Sequence, residues 1–355
     1  MPAWTRSTAA SKTSCAAARR DGRGVIADHR MLTTDESVVA DAELLGIPAS
    51  SVTGTRALTG GRGGRTWAID ASGDRYVLHR RAGGGAQMLD HEVLATAAAA
   101  AVGVGPDVVA LDPDRGLLLT RWIPGRAASA PGVAGPHLRS VLVALRTLHS
   151  VDVIEGRPVA HMLPTVDPLA TRARYLAARQ LNARGRGASS PDARGLRDVD
   201  LDEMVAALTA LAPSRPSVLI HGDPVPGNLI VAAGTVHLVD FEYAGAGDPW
   251  YELGHLAASV HLDPRAIAEV VAVDADSAGG GSAHLGLQES AVEAWSYVAA
   301  QAWVAWVGLG EDAGARSPRW RRWAGRAAAR LDDAVASRRV ERLTAQLRAE
   351  RSAPQ

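Results

Sequence analysis

The sequence contains one cysteine, one lysine and one phenylalanine among 355 residues. With Cys15 alone, an intrachain disulfide and a cysteine-based metal cage are both excluded, which fits a reducing, cytoplasmic location. With Lys12 the only lysine, cationic chemistry falls to arginine, whose guanidinium is permanently charged and fork-shaped. Net charge is zero, with 38 basic residues against 38 acidic ones, so no global field points to nucleic acid or to an anionic membrane. Long apolar runs are missing too. The most apolar stretch, around Val292 to Trp306, is interrupted by Glu293, Ser296 and Gln301, which argues against a membrane span. The first 35 residues are rich in Arg, Ser, Thr and Ala and hold no apolar core, which excludes a secretory signal. They are expected to be an extension outside the fold, with Met31 an alternative start.

The length exceeds one typical core and suggests two lobes. Strand-like segments dominate the first part: a pair flanking Leu58 to Ile69, then Arg75 to Arg81, Val108 to Leu111 and Leu117 to Ile123. Helical periodicity marks Asp35 to Leu45, with Asp35 as N-cap and Gly46 as stop, and also Gln87 to Ala101. After Pro124-Gly125 the chain turns helical. Leu138, Val141, Leu142, Leu145 and Leu148 share one face of a helix over His137 to His149, and Asp167 to Gln180 and Asp202 to Leu211 follow. Residues 184–198 and 274–283 read as surface loops.

The chemistry concentrates in Ser217 to Gly254, SVLIHGDPVPGNLIVAAGTVHLVDFEYAGAGDPWYELG. Val218-Leu219-Ile220 reads as a short buried strand that stops at His221-Gly222-Asp223, after which Pro224, Pro226 and Gly227 force a loop. Leu229 to Val231 and Val236 to Val239 read as a hairpin with a four-residue loop, Ala232 to Thr235. A hairpin brings its ends together, so Asn228 at the entrance and Asp240 at the exit should be neighbours. An amide oxygen and a carboxylate make a hard-oxygen pair suited to Mg²⁺, which takes few protein ligands. Asp223, just upstream, is placed to receive the proton of an attacking hydroxyl. Base, metal ligands and a nucleotide are the parts that phosphoryl transfer requires. Further upstream, Gly60, Gly61, Gly63 and Gly64 form a tip whose amides can approach phosphates closely.

His221-Gly222-Asp223, Asn228, Asp240-Phe241-Glu242-Tyr243-Ala244-Gly245 and Asp248-Pro249 resemble the catalytic segment of the aminoglycoside phosphotransferase/choline kinase superfamily. The resemblance covers about residues 52 to 260. It implies an α+β, two-lobed protein-kinase-like fold, with residues 36–123 a small β-rich N-lobe and 124–345 a larger, mainly helical C-lobe. It implies use of ATP, with GTP an open alternative, and of Mg²⁺. By the resemblance Asp223 is the catalytic base, Asn228 and Asp240 hold the metal, and the glycine loop covers the nucleotide. The family places a Lys or Arg at the end of the strand here ending in His79-Arg80-Arg81. His79 occupies that slot, and because strand side chains alternate, Arg81 shares its face while Arg80 points oppositely, so the phosphate-binding role divides between His79 and Arg81. Glu92 matches the acidic partner of that base. Arg121, Trp122 and Ile123 fall at the hinge whose backbone holds the adenine. An Asp is usual where this chain has Glu252; it helps hold the catalytic loop.

Five of the nine tryptophans lie between Val292 and Trp323. Val292, Trp295, Ala299, Ala302 and Trp306 share a helical stripe with Trp303 at its margin; they read either as a core helix or, with Tyr243 and Trp250, as the wall of a pocket for a cation. Ala313 to Arg330 carries no acidic residue, although Glu289, Glu293, Glu311 and Asp312 precede it. A polycationic aminoglycoside wants clustered carboxylates. The composition therefore leans to a smaller alcohol, and the Glu242-Tyr243 pair resembles choline, ethanolamine and thiamine kinases. The expected substrate is a small cationic alcohol bound by Glu242, Tyr243, Trp250, Trp295, Trp303 and Trp306. An aminoglycoside or macrolide phosphotransferase, or a kinase-fold protein that binds nucleotide without turnover, are the alternatives. Neither nucleic acid nor membrane is expected as a partner, and the chain is expected to be a monomer or homodimer.

Overall fold

A computed structural model describes residues 35–58, 64–81, 86–185, 200–211, 217–263, 266–267, 270–271, 285–309 and 318–351, all within one unit, Thr33–Gln355. The extension 1–34, Gly60, Gly61 and Gly63 of the glycine tip, most of the loops at 184–198 and 274–283, and Glu311 and Asp312 lie outside the described residues.

Helix α1 (Glu36–Leu44) begins where the sequence indicates, since the Asp35 side chain accepts a hydrogen bond from the Ser37 amide at 3.0 Å. Five antiparallel strands follow: β1 (Val52–Leu58), β2 (Gly64–Ala71), β3 (Asp74–Arg81), β4 (Val108–Asp112) and β5 (Leu117–Arg121), in the spatial order β1-β2-β3-β5-β4. Between β3 and β4 runs α2 (Ala86–Ala101). Period-two alternation buries Tyr76 and Leu78 of β3 against Val38 and Ala42 of α1, with Ile69 and Leu119 in the same core. Arg80, on the opposite side of β3 from its neighbours, pairs with Asp41 of α1 and lies over the Trp67 ring at 4.9 Å.

The chain leaves the sheet through Pro124-Gly125 into β6 (Arg126–Ala127), followed by a helical turn α3 (Ala130–Val133) and α4 (Leu138–His149). A Cβ on Gly125 would stand 2.5 Å from the Val231 carbonyl, so only glycine permits this approach to the later hairpin. A small hairpin, β7 (Val153–Ile154) and β8 (Arg157–Pro158), leads into α5 (Val159–Met162), α6 (Pro168–Gly185) and α7 (Asp202–Leu211). Next come β9 (Val218–Ile220), the hairpin β10 (Leu229–Ala232) and β11 (Thr235–Leu238), β12 (Gly245–Gly247) and α8 (Pro249–Val260). The C-terminal helices are α9 (Leu285–Leu309), α10 (Pro318–Ala336) and α11 (Arg339–Arg351).

Two cores hold this helical part together. Val141, Leu145 and Leu148 of α4 pack on Leu219 of β9, on Leu229 and Leu238 of the hairpin, and on Ala95 and Ala99 of α2, which joins the sheet to the hairpin. The second core gathers α7, α9, α10 and α11 around Met204, Trp295, Trp306, Trp323 and Leu343. No helix among the described residues is long and apolar enough to cross a membrane.

The hairpin differs from the sequence expectation. Ala232 pairs with Thr235, so the connection is a two-residue turn at Ala233-Gly234 rather than a four-residue loop. Both turn residues have positive φ, 47° and 89°, the handedness that matches the twist of the flanking strands. Strand pairing gains two backbone positions at the cost of placing an alanine in a conformation that glycine or asparagine prefers.

Candidate active site

Strand β9 ends in the fully buried His221, and Gly222 turns the chain with φ +79°. A Cβ there would lie 2.2 Å from the Tyr243 carbonyl, so the loop exists because residue 222 has no side chain. Glu252, fully buried on α8, holds this turn. Its two carboxylate oxygens accept the amides of His221 at 3.1 Å and Gly222 at 2.7 Å, and His149 Nε2 lies 2.7 Å away. Burial pushes the Glu252 pKa up, but these bonds, led by His149, bring the net below the usual carboxylate range. Helix α8 is started by Asp248, whose side chain accepts the Trp250 amide at 2.8 Å, with Pro249 at the first helical position.

The His221 ring packs 4.8 Å from Phe241, the single phenylalanine, and its Nε2 meets the Val239 carbonyl at 2.9 Å. The loop and the hairpin are thereby joined. The Val239 amide donates to the Asn228 carbonyl at 3.0 Å, so Asn228 and Asp240 stand at adjoining ends of the hairpin. Asp240 itself is left-handed, φ 69° and ψ 66°, a strained backbone held by the surrounding packing. The Asn228 amide nitrogen donates to the Asp223 carbonyl at 3.0 Å and to Asp223 Oδ2 at 3.2 Å. That arrangement leaves its amide oxygen for a cation, and with the Asp240 carboxylate it supplies the hard-oxygen donors that Mg²⁺ prefers.

On the sheet side, Arg81 and not His79 pairs with Glu92. Arg81 Nε donates to Glu92 Oε2 at 2.7 Å, and its Nη1 donates to Glu242 Oε2 at 3.2 Å. His79 instead places Nδ1 3.4 Å from Thr66 Oγ1. Burial lowers the His79 pKa, with Asp240 pulling it back up and Arg81 pushing it down. Glu92 is pushed up to about 7, first by burial and then by Asp240 and Glu242, against the pull of Arg81. One guanidinium therefore faces several carboxylates, an electrostatic excess that a divalent cation or a cationic ligand would relieve. At the hinge, the Arg121 amide is bonded to the Asp107 carbonyl at 2.9 Å and the Trp122 amide to that of Arg75 at 3.0 Å. The Arg121 side chain lies against Asp74 at 2.7 Å and over the Tyr76 ring at 5.0 Å. Of the three residues expected to hold the adenine, two thus spend their amides within the protein, and Ile123 is the one that these bonds do not involve.

A cavity of about 260 Å³ opens beside Asp223. Of the residues singled out from sequence as substrate-binding, Glu242, Tyr243 and Trp303 line it, whereas Trp250, Trp295 and Trp306 do not. Trp295 is buried edge-on against Tyr251 at 5.4 Å, and Trp306 edge-on against Trp303 at 5.4 Å. These two are core residues because α9 is covered on nearly every side by other helices. The cavity wall includes three residues that the sequence reading passed over, Tyr175, Tyr251 and His255. Tyr251 and His255 lie one helical turn apart on α8, a spacing visible once Asp248-Pro249 is taken as the helix start. Tyr175 comes from α6, and only the tertiary fold brings it there.

The phosphotransferase enzyme family model matches residues 54–284. Among solved structures, a choline/ethanolamine kinase family protein from Mesorhizobium loti is similar at 22% identity, over 88% of this chain and 99% of that one, with a TM-score of 0.68. Choline kinase from Cryptosporidium parvum aligns at 11% identity over 88% and 99% of the two chains, TM-score 0.65. Spectinomycin phosphotransferase, solved with ADP and spectinomycin, aligns at 11% identity over 84% and 99%, TM-score 0.55. The shared fold is the α+β kinase-like fold. Comparison with curated proteins finds no match.

Proposed function

The chain belongs to the phosphotransferase enzyme family, and from that premise we propose that it transfers the γ-phosphoryl group of ATP, with Mg²⁺, to the hydroxyl of a small cationic alcohol of the choline, ethanolamine or thiamine class. The observation that carries this reading is the position of Asp223. It lines a cavity shared with Tyr175, Tyr243, Tyr251 and Trp303, while the side-chain amide of Asn228, one of the two residues that would hold the metal, is bonded directly to it. Aromatic faces attract ammonium groups, and Glu242 and Asp167 add carboxylates to a wall on which Arg174, over the Tyr175 ring at 5.2 Å, is the one guanidinium among the described residues. Within that class, a cavity of about 260 Å³ favours choline or ethanolamine over the two-ring thiamine, and any of them over a multi-ring antibiotic.

Asn228 and Asp240 would hold the metal, which when bound neutralises phosphate charge and aligns the transferring group. Arg81, kept in place by Glu92, supplies the permanent positive charge next to the phosphates. Asp223 orients the acceptor hydroxyl and takes its proton as the oxygen attacks phosphorus in line. Glu252 keeps Asp223 in position by fixing the two preceding backbone amides. Turnover with Mg-ATP should be measured against ethanolamine, choline, thiamine and kanamycin. One of the first three is expected to be phosphorylated, and Asp223→Asn should lower kcat by about 100-fold or more while the nucleotide still binds. Activity that survives Asp223→Asn, or turnover of kanamycin alone, sinks the reading.

A further inference from the structure

His255 takes no part in the chemistry described so far, yet it lines the acceptor cavity and is only 1% exposed. Trp303 Nε1 donates to His255 Nε2 at 2.7 Å. Nε2 must therefore carry a lone pair, which in a neutral ring puts the proton on Nδ1. Nδ1 is buried and has no hydrogen-bond partner among the described residues. The opposite tautomer would set two N–H groups against each other, so the orphaned Nδ1 is the lesser penalty. His255 Nε2 also lies 3.9 Å from Asp223 Oδ1, so the Trp303 bond sits beside the carboxylate of the proposed base. Trp303 is fixed on its other sides by Trp320, nearly parallel at 6.2 Å, and by Trp306, edge-on at 5.4 Å. Ring packing fixes where the indole sits, and the hydrogen bond fixes its rotation. Val298, Ala299 and Ala302, smaller residues on the same helix, leave Trp303 the bulkiest part of the α9 wall.

We propose that the His255–Trp303 hydrogen bond sets the size of alcohol that the cavity accepts, His255 acting as a positioning residue that holds the indole wall at a fixed distance from Asp223. The inference rests on the acceptor class proposed above. An N-methyl group more or less changes the volume to be fitted, and a rigid wall converts that change into discrimination, whereas a loose wall yields.

Ethanolamine, its N-methyl and N,N-dimethyl derivatives, and choline differ by one methyl at each step and form the test series. KM and kcat are measured with Mg-ATP for the wild type, His255→Phe, His255→Gln, Trp303→Phe and the double variant His255→Phe/Trp303→Phe. The wild type should show a steep KM series. His255→Phe keeps a ring but removes the acceptor, and should narrow the KM span by about 5-fold or more, the scale of one net hydrogen bond. His255→Gln offers an amide oxygen to the indole N–H and should restore the series. In the His255→Phe background, Trp303→Phe should add no further loss of discrimination. In ¹H–¹⁵N spectra, the indole N–H that vanishes in Trp303→Phe should exchange slowly in the wild type and His255→Gln, and fast in His255→Phe. Thermal melting confirms that each variant is folded. A flat wild-type series, a wild-type series in His255→Phe, or slow indole exchange without the acceptor overturns the proposal. If no member of the series is phosphorylated or shifts the indole resonance, size selection falls together with the acceptor class, and slow exchange lost in His255→Phe still shows that reading, and not the clamp, to be at fault.

Discussion

Arg81 carries more of the site than its position in the sequence suggests. Strand alternation placed His79 and Arg81 on one face of β3, but it could not say which side chain reaches α2. Reach decides it: a guanidinium on a three-carbon stem spans to Glu92 and Glu242, and an imidazole two residues earlier stops at Thr66. Arg81→Gln should strand two carboxylates in a poorly solvated place, costing roughly 3 kcal/mol or more in urea unfolding, and should raise KM for ATP. His79→Gln should change neither by a comparable amount. The opposite ranking would favour His79 over Arg81 for the proposed phosphate-binding role. That Asp223, Asn228 and Asp240 stand together was legible because the loop and hairpin that carry them are local in sequence. Tyr175 and the burial of Trp295 and Trp306 were not, since they depend on how α6, α8 and α9 stack.

At the level of elements, most helices and strands follow from their periodicity and caps. Helix α7 runs from Asp202 to Leu211 as its pattern indicates, and α1 starts on Asp35. Strand β12 escaped notice because Gly245-Ala246-Gly247 has no strand propensity; it pairs with β9 because its glycines permit close packing. A Cβ at Gly245 would meet the Pro164 carbonyl at 2.3 Å. The hairpin turn escaped for a related reason, since Ala233 is not a residue that favours positive φ. Ala233→Asn should relieve that conformation and raise stability by about 0.5 kcal/mol or more, read as a higher melting temperature with unchanged turnover. No gain would mean that the turn is held by contacts that also favour alanine.

For the molecule as a whole, buried titratable groups set how stability depends on pH. His255 and His261 are both lowered to about 4, chiefly by burial. The unfolded chain then takes up these protons first, so stability is intact above about pH 6.5 and falls as pH drops from there toward 4. Glu92, raised to about 7, works in the other direction, costing stability as pH rises from its unfolded value through 7. Glu252, whose pKa is depressed, adds a loss that sets in only below the ordinary carboxylate range. Three depressed histidines, His79 included, against one raised glutamate make the expected net a falling melting temperature between about pH 6.5 and 4, followed by calorimetry. His261→Asn suits the left-handed position that ends α8, where φ is 58°, and removes one titration. It should flatten the slope, and an unchanged slope would mean that His261 is not responsible.

Glu242 bonds to Arg81 on one side and lines the cavity beside Asp223 on the other. Under the proposed function, a substitution there would alter grip on phosphate and choice of alcohol together, so directed evolution of acceptor preference has little freedom at this position. Ala299 and Ala302 border the same cavity with side chains that carry no polar atom. Under the same proposal, diversity introduced at those two positions can reshape the acceptor space without disturbing the Arg81–Glu92–Glu242 cluster.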